Sequence, residues 1–308
     1  MKIQAGYLLV LAMLFWSGNY VIGKAVVATV PPITLAYLRW LLAFCIFLPF
    51  CWADLKNLKD EIRRHWLFFV ALGATGIIGY NIFQYLAVKY TTAINATIIN
   101  SSTPIFAAIA SYVFMKDRLS PLQAFGIGIS FFGVTSIITQ NNWMQVFSMT
   151  YNTGDLMMLL GVWLNTVYLL ILRKKGKLVP PKVLFICSIF GGLVVAFPLF
   201  VWENSTLGTG WISQLNHYHF WSLLYLGIFP TILAMLFYNR GIMEIGPVKT
   251  AIYANLTIVF TSILGFFFLG ERLNPAHFLG AALIITGVWL TNKKQLVKDK
   301  VSAGQAAS

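Results

Sequence analysis

The sequence predicts an all-α integral membrane protein of ten transmembrane helices, arranged as two inverted five-helix repeats. Hydrophobic residues make up 58% of the chain and charged residues 10%, whereas an ordinary soluble chain is about a quarter charged. Apolar runs near the length that crosses a bilayer, about 20 residues, follow one another from end to end. The chain also repeats itself. Moved by 154 positions, Thr103, Phe106, Phe114, Gly126, Gly133 and Val134 fall on Thr257, Phe260, Phe268, Gly280, Gly287 and Val288. That shift is half of the 308 residues. An internal repeat of this size in an apolar chain is the signature of a carrier built from two copies of one unit.

The first apolar run, 3–27, follows Lys2 and continues through Gly23 without a small-x-small cleavage site, so it is expected to be retained as a span. The second, 33–53, contains Arg39. The third, 66–88, and the fourth, 92–115, are separated by only a few residues, and Pro104 is expected to kink the fourth. The fifth is 120–139. A polar segment, 140–152, leads to the sixth at 154–172 and the seventh at 183–202. A second polar segment, 204–219, precedes the eighth at 219–239. The ninth is 247–269 and the tenth 276–292. The repeats are then 1–142 (helices 1–5) and 143–292 (helices 6–10). The polar, small-residue-rich 293–308 is a cytoplasmic tail, expected to be disordered.

Charge sets the orientation. With the N-terminus in the cytoplasm, seventeen of the 22 Lys and Arg residues fall in cytoplasmic segments, among them Lys56, Lys59, Arg63, Arg64, Arg173 to Lys175 and Lys293. Only Lys89 and Arg272 fall in outer loops, while Lys24, Arg39 and Lys249 lie within spans. This bias puts both termini inside and favours an even number of helices. Five crossings separate Arg118 from Arg272, so the two copies must be inverted. The net charge of +13 thus reads as a topology signal, not as a nucleic-acid surface. The three cysteines, Cys45, Cys51 and Cys187, sit in apolar runs without disulfide or metal-ligand spacing and read as small hydrophobes.

Several short motifs recur in order. They are Phe15-Trp16-Ser17-Gly18-Asn19-Tyr20 with Lys24; Pro31-Pro32 with Arg39; Ser102-Thr103-Pro104 before Lys116-Asp117-Arg118-Leu119. In the second half they are Gly154-Asp155-Leu156 with Trp163, Gly246-Pro247, and Gly270-Glu271-Arg272-Leu273. The pattern resembles the EamA domain of the drug/metabolite transporter superfamily, present twice and covering nearly the whole chain. It departs from the family at Lys116-Asp117-Arg118, where Gly-Glu-Arg is more usual, and at Thr257-Ile258, where a proline is common. The resemblance implies a central cavity lined by helices 1–4 and 6–9. It also implies peripheral helices 5 and 10 that mediate contacts between protomers of a homodimer. Members move amino acids, other metabolites or drugs, often outward.

Polar side chains inside spans are costly and tend to face a cavity or a partner. Trp16, Asn19 and Tyr20 share a face of helix one. Tyr80, Asn81, Gln84 and Tyr85 form the densest polar-aromatic cluster of any span, on helix three. Asn100 and Ser101 stand before the expected kink of helix four. Trp163, Asn165 and Tyr168 of helix six take the part of the helix-one set. Tyr238 and Asn239 on helix eight, and Lys249 and Tyr253 on helix nine, complete the candidate cavity. Arg39 either pairs with a substrate carboxylate or snorkels to loop carbonyls. Lys24 and Lys249, nearer helix ends, read as snorkelling cations. Asp117-Arg118 and Glu271-Arg272 read as structural pairs or helix-end locks at the membrane boundary. His277, at the start of a peripheral helix, reads as a surface residue.

No Asp or Glu lies in the middle of a span; Asp155, Glu203, Glu244 and Glu271 are near ends. The carboxylate that cation exporters and many proton-coupled carriers place in the membrane is therefore missing. A polar-aromatic cavity with cations nearby suits an amino acid or a related zwitterion or carboxylate. The expectation is a secondary transporter, working by alternating access as an exporter, in the cell (inner or plasma) membrane. Its partners are a small-molecule substrate and the lipid bilayer, with no nucleic acid and no cofactor. The alternatives are a carrier of nucleotides or other phosphorylated solutes, a lipophilic-drug exporter, a channel, and a membrane-embedded enzyme. For the last the sequence offers no metal-spaced set and no nucleophile-and-base pair.

Overall fold

A computed structural model describes residues 5–116, 120–139, 152–175, 178–245, 250 and 253–305. Among these residues every regular element is helical. α1 (Ala5–Val26) and α2 (Pro32–Asn57) are single rods, followed by the short surface helix α3 (Lys59–Arg64). The next rod is α4 (Trp66–Leu72), a π turn at Gly73–Ile77, and α5 (Ile78–Tyr90). Then come α6 (Ala93–Asn100), α7 (Thr103–Met115), α8 (Pro121–Ile138), α9 (Thr153–Lys175) and α10 (Pro181–Leu207). α11 (His217–Ile228) runs through a second π turn, Phe229–Leu233, into α12 (Ala234–Ile245). α13 (Leu256–Leu269) and α14 (Pro275–Gln305) end the described chain.

Seven of these runs are long and apolar enough to cross a membrane, while Pro121–Ile137, Leu256–Leu269 and Pro275–Leu290 are shorter apolar helices. Phe, Trp and Leu side chains such as Phe131, Phe197, Phe267 and Phe278 are exposed along the flanks. Water does not tolerate so much continuous apolar surface, and lipid does. The molecule is a multi-pass membrane protein.

Local chemistry sets the ends. Pro32, Pro121 and Pro275 open their helices at the first position, where the missing N–H costs nothing. Two capping boxes stand 154 positions apart. Ser120 exchanges hydrogen bonds with Gln123 at the start of α8, and Asn274 with His277 at the start of α14. The helix ends at Lys116 and Gly270 also correspond. Both residues adopt the left-handed conformation, with φ of 57° and 65°. Glycine does so without steric cost and lysine does not.

Some sequence expectations change here. The fourth run breaks at Ser101–Ser102, because Pro104 fits the first turn of α7 and not the interior of a helix. Asn255, 154 positions beyond Ser101, interrupts the ninth run without any proline. The expected disorder after residue 292 is replaced by helix as far as Gln305, through Lys-, Gln- and Ala-rich sequence of good helix propensity. Cys45 is exposed, unlike Cys51 and Cys187.

α1 packs on α12 and α13, as α9 packs on α5, α6 and α7; α2 packs on α10, and α8 on α14. The α8–α14 contact is antiparallel and glycine-lined. A Cβ on Gly133 would meet Gly280 O at 2.8 Å, and a Cβ on Gly287 would meet Gly126 O at 2.4 Å. Between them Ser130 Oγ donates to Ile284 O at 3.2 Å. Close backbone approach of this kind is how helices associate without a hydrophobic driving force. These faces are therefore occupied within one chain. Only the outward faces, with Phe131 and Phe278, are open for the expected pairing of protomers.

Candidate substrate site

Arg39 lies in the second turn of α2 and is 3% exposed. Three other segments converge on its guanidinium. Nε donates to Thr231 Oγ1 at 2.8 Å. Nη1 faces three acceptors: Asn19 Oδ1 on α1 and Asn81 Oδ1 on α5, both at 2.8 Å, and the Tyr85 hydroxyl on α5 at 2.9 Å. The Tyr85 hydroxyl in turn donates to Asn19 Oδ1 at 2.8 Å. The guanidinium carbon stands 5.3 Å from the Trp40 ring centre and 5.9 Å from that of Tyr85. The second terminal nitrogen, Nη2, has no hydrogen-bond partner among the described residues, and no carboxylate lies within salt-bridge distance. Arg39 does not snorkel. It is a buried cation surrounded by neutral groups.

The two π turns build this arrangement. A π turn leaves backbone groups out of the regular ladder, and such bulges gather at functional positions. Asn81 anchors its amide on Ile77 O at 2.6 Å, the last residue of the first π turn, and so aims its oxygen at Arg39. Thr231, inside the second, donates to Leu226 O at 2.7 Å and offers its oxygen to Arg39 Nε. Pro230 O of the same turn accepts Trp16 Nε1 at 3.0 Å.

The predicted residues divide. Asn19, Arg39, Asn81 and Tyr85 form one network. Tyr20 and Tyr80, their chain neighbours, share a hydroxyl–hydroxyl bond of 2.9 Å. Gln84 is 1% exposed and its Nε2 has no partner, as does Trp40 Nε1 beside Arg39. Trp16 leans on Tyr238, with ring centres 5.1 Å apart, in a separate cluster that includes Tyr253. Asn100 accepts from Thr103 Oγ1 at 3.3 Å, and the Ser101 hydroxyl donates to Ile98 O at 2.6 Å, so both serve the break between α6 and α7. Trp163 is 43% exposed and meets Phe106 edge-on, whereas Asn165 and Tyr168 are half-buried on α9. Asn239 is exposed. Lys249 and the Asp117-Arg118 pair lie outside the described residues. A cleft of about 210 Å³ at the loop ends, lined by Pro31, Lys89, Gly208 and Trp211, contains none of the Arg39 network.

Sequence reasoning missed Thr231. The available signal was Pro230 inside an apolar run, which guarantees displaced backbone hydrogen bonds nearby.

A model of the EamA-like transporter family matches residues 4–139 and again 152–293. The chain belongs to the EamA-like transporter family. Curated relatives carry the same description. An uncharacterized transporter of Archaeoglobus fulgidus is 28% identical over 96% of this chain and 99% of its own length. The uncharacterized transporter YyaM of Bacillus subtilis is 27% identical, covering 75% of this chain and 74% of its own. A solved crystal structure aligns with a TM-score of 0.60 at 18% identity, over 93% of this chain and 95% of that chain, a likeness of fold. The EamA-like protein described here is accordingly a membrane transporter, and the family and its relatives' names are those of transporters, not enzymes.

Three carboxylates near the helix ends are buried, and two of them act as caps. Asp155, Glu203 and Glu271 are 1%, 5% and 7% exposed. Glu203 accepts from the N–H of Ile33 at 3.1 Å and of Thr34 at 2.6 Å, and so caps α2. Glu271 accepts from Ala93 N at 2.8 Å and Ile94 N at 3.1 Å, and so caps α6. Its cation is Lys24, at 3.4 Å, which also donates to Thr91 O; Arg272 is exposed. Of the two readings of Glu271-Arg272, Glu271 takes the helix-end lock and Arg272 has no part in it; the snorkelling expected of Lys24 is replaced by this tie between α1, α6 and the turn before α14. His277 is 4% exposed, since its box with Asn274 turns the ring inward.

Proposed function

We propose that this EamA-like protein is a secondary transporter for a small carboxylate-bearing metabolite, an amino acid or a related zwitterion, and that it works by alternating access as an exporter. One observation carries the substrate class. Arg39 is a buried, uncompensated cation with a free Nη2 edge. A charge in a span is retained at a cost, and a mobile anion that docks on it recovers that cost. Gln84 Nε2, buried and without a partner, supplies a further neutral donor. The aromatic rings of Tyr20, Trp40 and Tyr80 suit a partly apolar solute. A phosphorylated solute asks for more than one cation.

Ten spans in two inverted repeats supply the moving parts. Support comes from contacts that exchange under the 154-residue shift. Gly133 with Gly280 becomes Gly287 with Gly126, and Ser130 with Ile284 maps onto itself. A two-fold axis demands that reciprocity. The capping boxes and the left-handed Lys116 and Gly270 recur at the same shift, and the π turns at 156 positions. The Lys and Arg distribution supports cytoplasmic termini in the inner or plasma membrane.

The test is counterflow into proteoliposomes preloaded with single amino acids. Saturable accumulation of a labelled amino acid is expected. Its absence from a folded preparation, with accumulation of sugar phosphates or nucleotides instead, would overturn the substrate class.

A further inference from the structure

We propose that Asp155, Asn95 and His277 form a proton-binding array, separate from the Arg39 site, whose protonation unlocks the end of the bundle that Glu271 ties together. Asn95 is the bridge. Its Oδ1 lies 2.7 Å from His277 Nε2, and its Nδ2 reaches Thr91 Oγ1 at 3.2 Å and Asp155 Oδ1 at 3.4 Å. Thr91 Oγ1 donates to the same Asp155 oxygen at 2.6 Å. All four residues are nine-tenths buried or more. Asp155 Oδ2 has no hydrogen-bond partner among the described residues, and no cation reaches Asp155 within salt-bridge distance.

The donors and acceptors fix the protonation state that this geometry holds. His277 Nδ1 accepts from Asn274 N at 3.0 Å, so the ring proton of the neutral form sits on Nε2 and points at Asn95. Asp155 accepts from two donors as a carboxylate. A proton entering on His277 Nδ1 would set an N–H against the Asn274 N–H and break the capping box. A proton on Asp155 settles on its free Oδ2 and cancels the charge toward which Thr91 and Asn95 donate, which weakens the hold on Asn95 beside His277. Either event loosens the turn that carries Glu271, three residues before Asn274, and with it the cap on Ala93 and Ile94. Arg272 and Leu273 in that turn are exposed.

The charged neighbours are few. Lys24 on α1 and Glu271 are paired with one another, and Lys89 at the end of α5 and Arg272 are exposed. On the faces packed against α6, α8 and α13 carry no ionisable side chain. The array joins the first repeat, through Thr91 and Asn95, to the second, through Asp155 and His277. A proton bound there therefore acts on the junction between the repeats. Only the naming of the proton as the coupling ion rests on the carrier reading; the binding does not.

Hydrogen exchange on the purified full-length protein in detergent tests it, because Asn274, Ala93 and Ile94 donate the amides at stake. After correction for intrinsic rates, acidification from about pH 8 to about pH 5, the range in which histidine titrates, is expected to lower protection at these amides about tenfold, one pKa unit of linkage. His277→Gln keeps a capping box, as Gln123 does with Ser120, but cannot titrate; Asp155→Asn keeps the shape without the charge. Both should flatten the response. A flat wild-type profile, or an unchanged response in either variant, would overturn the proposal. Failure of wild-type counterflow with an intact exchange response would instead remove the carrier reading and leave the proton site standing.

Discussion

Two of the polar networks buried in this apolar bundle treat charge in opposite ways. Around Arg39 every partner is neutral: two amides, a phenol and a threonine, with one nitrogen left over. Around Glu271 each charge is matched. Its carboxylate takes two backbone N–H groups and the Lys24 ammonium. The second arrangement is complete without a visitor and acts as a joint between helix ends. The first is complete only when an anion arrives, and on the proposed reading that anion is the substrate. A buried ion pair is weak evidence of function, whereas a buried unpaired charge asks for an explanation.

Substitutions can break this contrast. The largest effect is expected at the joint. Glu271→Gln removes the charge that caps α6 and strands Lys24, which should cost about 3 kcal/mol, as breaking one partner of a buried pair does. The midpoint of thermal unfolding in detergent reads this, and an unchanged midpoint would mean the joint bears little. At the site, Tyr85→Phe deletes the hydroxyl that holds both Arg39 and Asn19. Apparent substrate affinity should fall about five- to thirtyfold, the equivalent of about 1–2 kcal/mol, with a smaller change in midpoint. If the midpoint drops and affinity does not, the Arg39 network is a second joint and the contrast fails.

The remaining substitutions sharpen the comparison by probing the frame that carries both networks. Gly133→Val forces a side chain into Gly280 O and Ile284 and should cost about 1–3 kcal/mol as overpacking, read by the same unfolding midpoint. The smallest effect runs the other way. Lys116→Gly removes a left-handed lysine and should stabilise by about 0.5–1 kcal/mol. Gly270→Lys, its counterpart in the other repeat, should destabilise by a similar amount.

Much of the frame was legible in the sequence because lipid imposes a simple rule: apolar runs of a fixed length, with polar residues only where something pays for them. Asn19, Arg39, Asn81 and Tyr85 stood out for that reason, and the structure brings those four together. Thr231 did not stand out, since threonine is ordinary in a span and acquires its role from a π turn. Lys24 and His277, both near helix ends, were misread for a related reason. Sequence position says that Asp155, Glu271 and His277 are close to a boundary, but not that neighbouring helix ends close over them. His277 could have been placed by the repeat, since it occupies the position of Gln123 in the other capping box.

The most direct measurement is counterflow of a labelled amino acid in proteoliposomes, comparing the wild-type protein with Arg39→Gln at matched amounts of folded protein. The account predicts saturable exchange in the wild type and a loss of about tenfold or more in Arg39→Gln, the cost of one charge-assisted hydrogen bond to a carboxylate. Equal exchange by the two proteins would contradict it, and Arg39 would then be a structural cation with no part in recognising the solute.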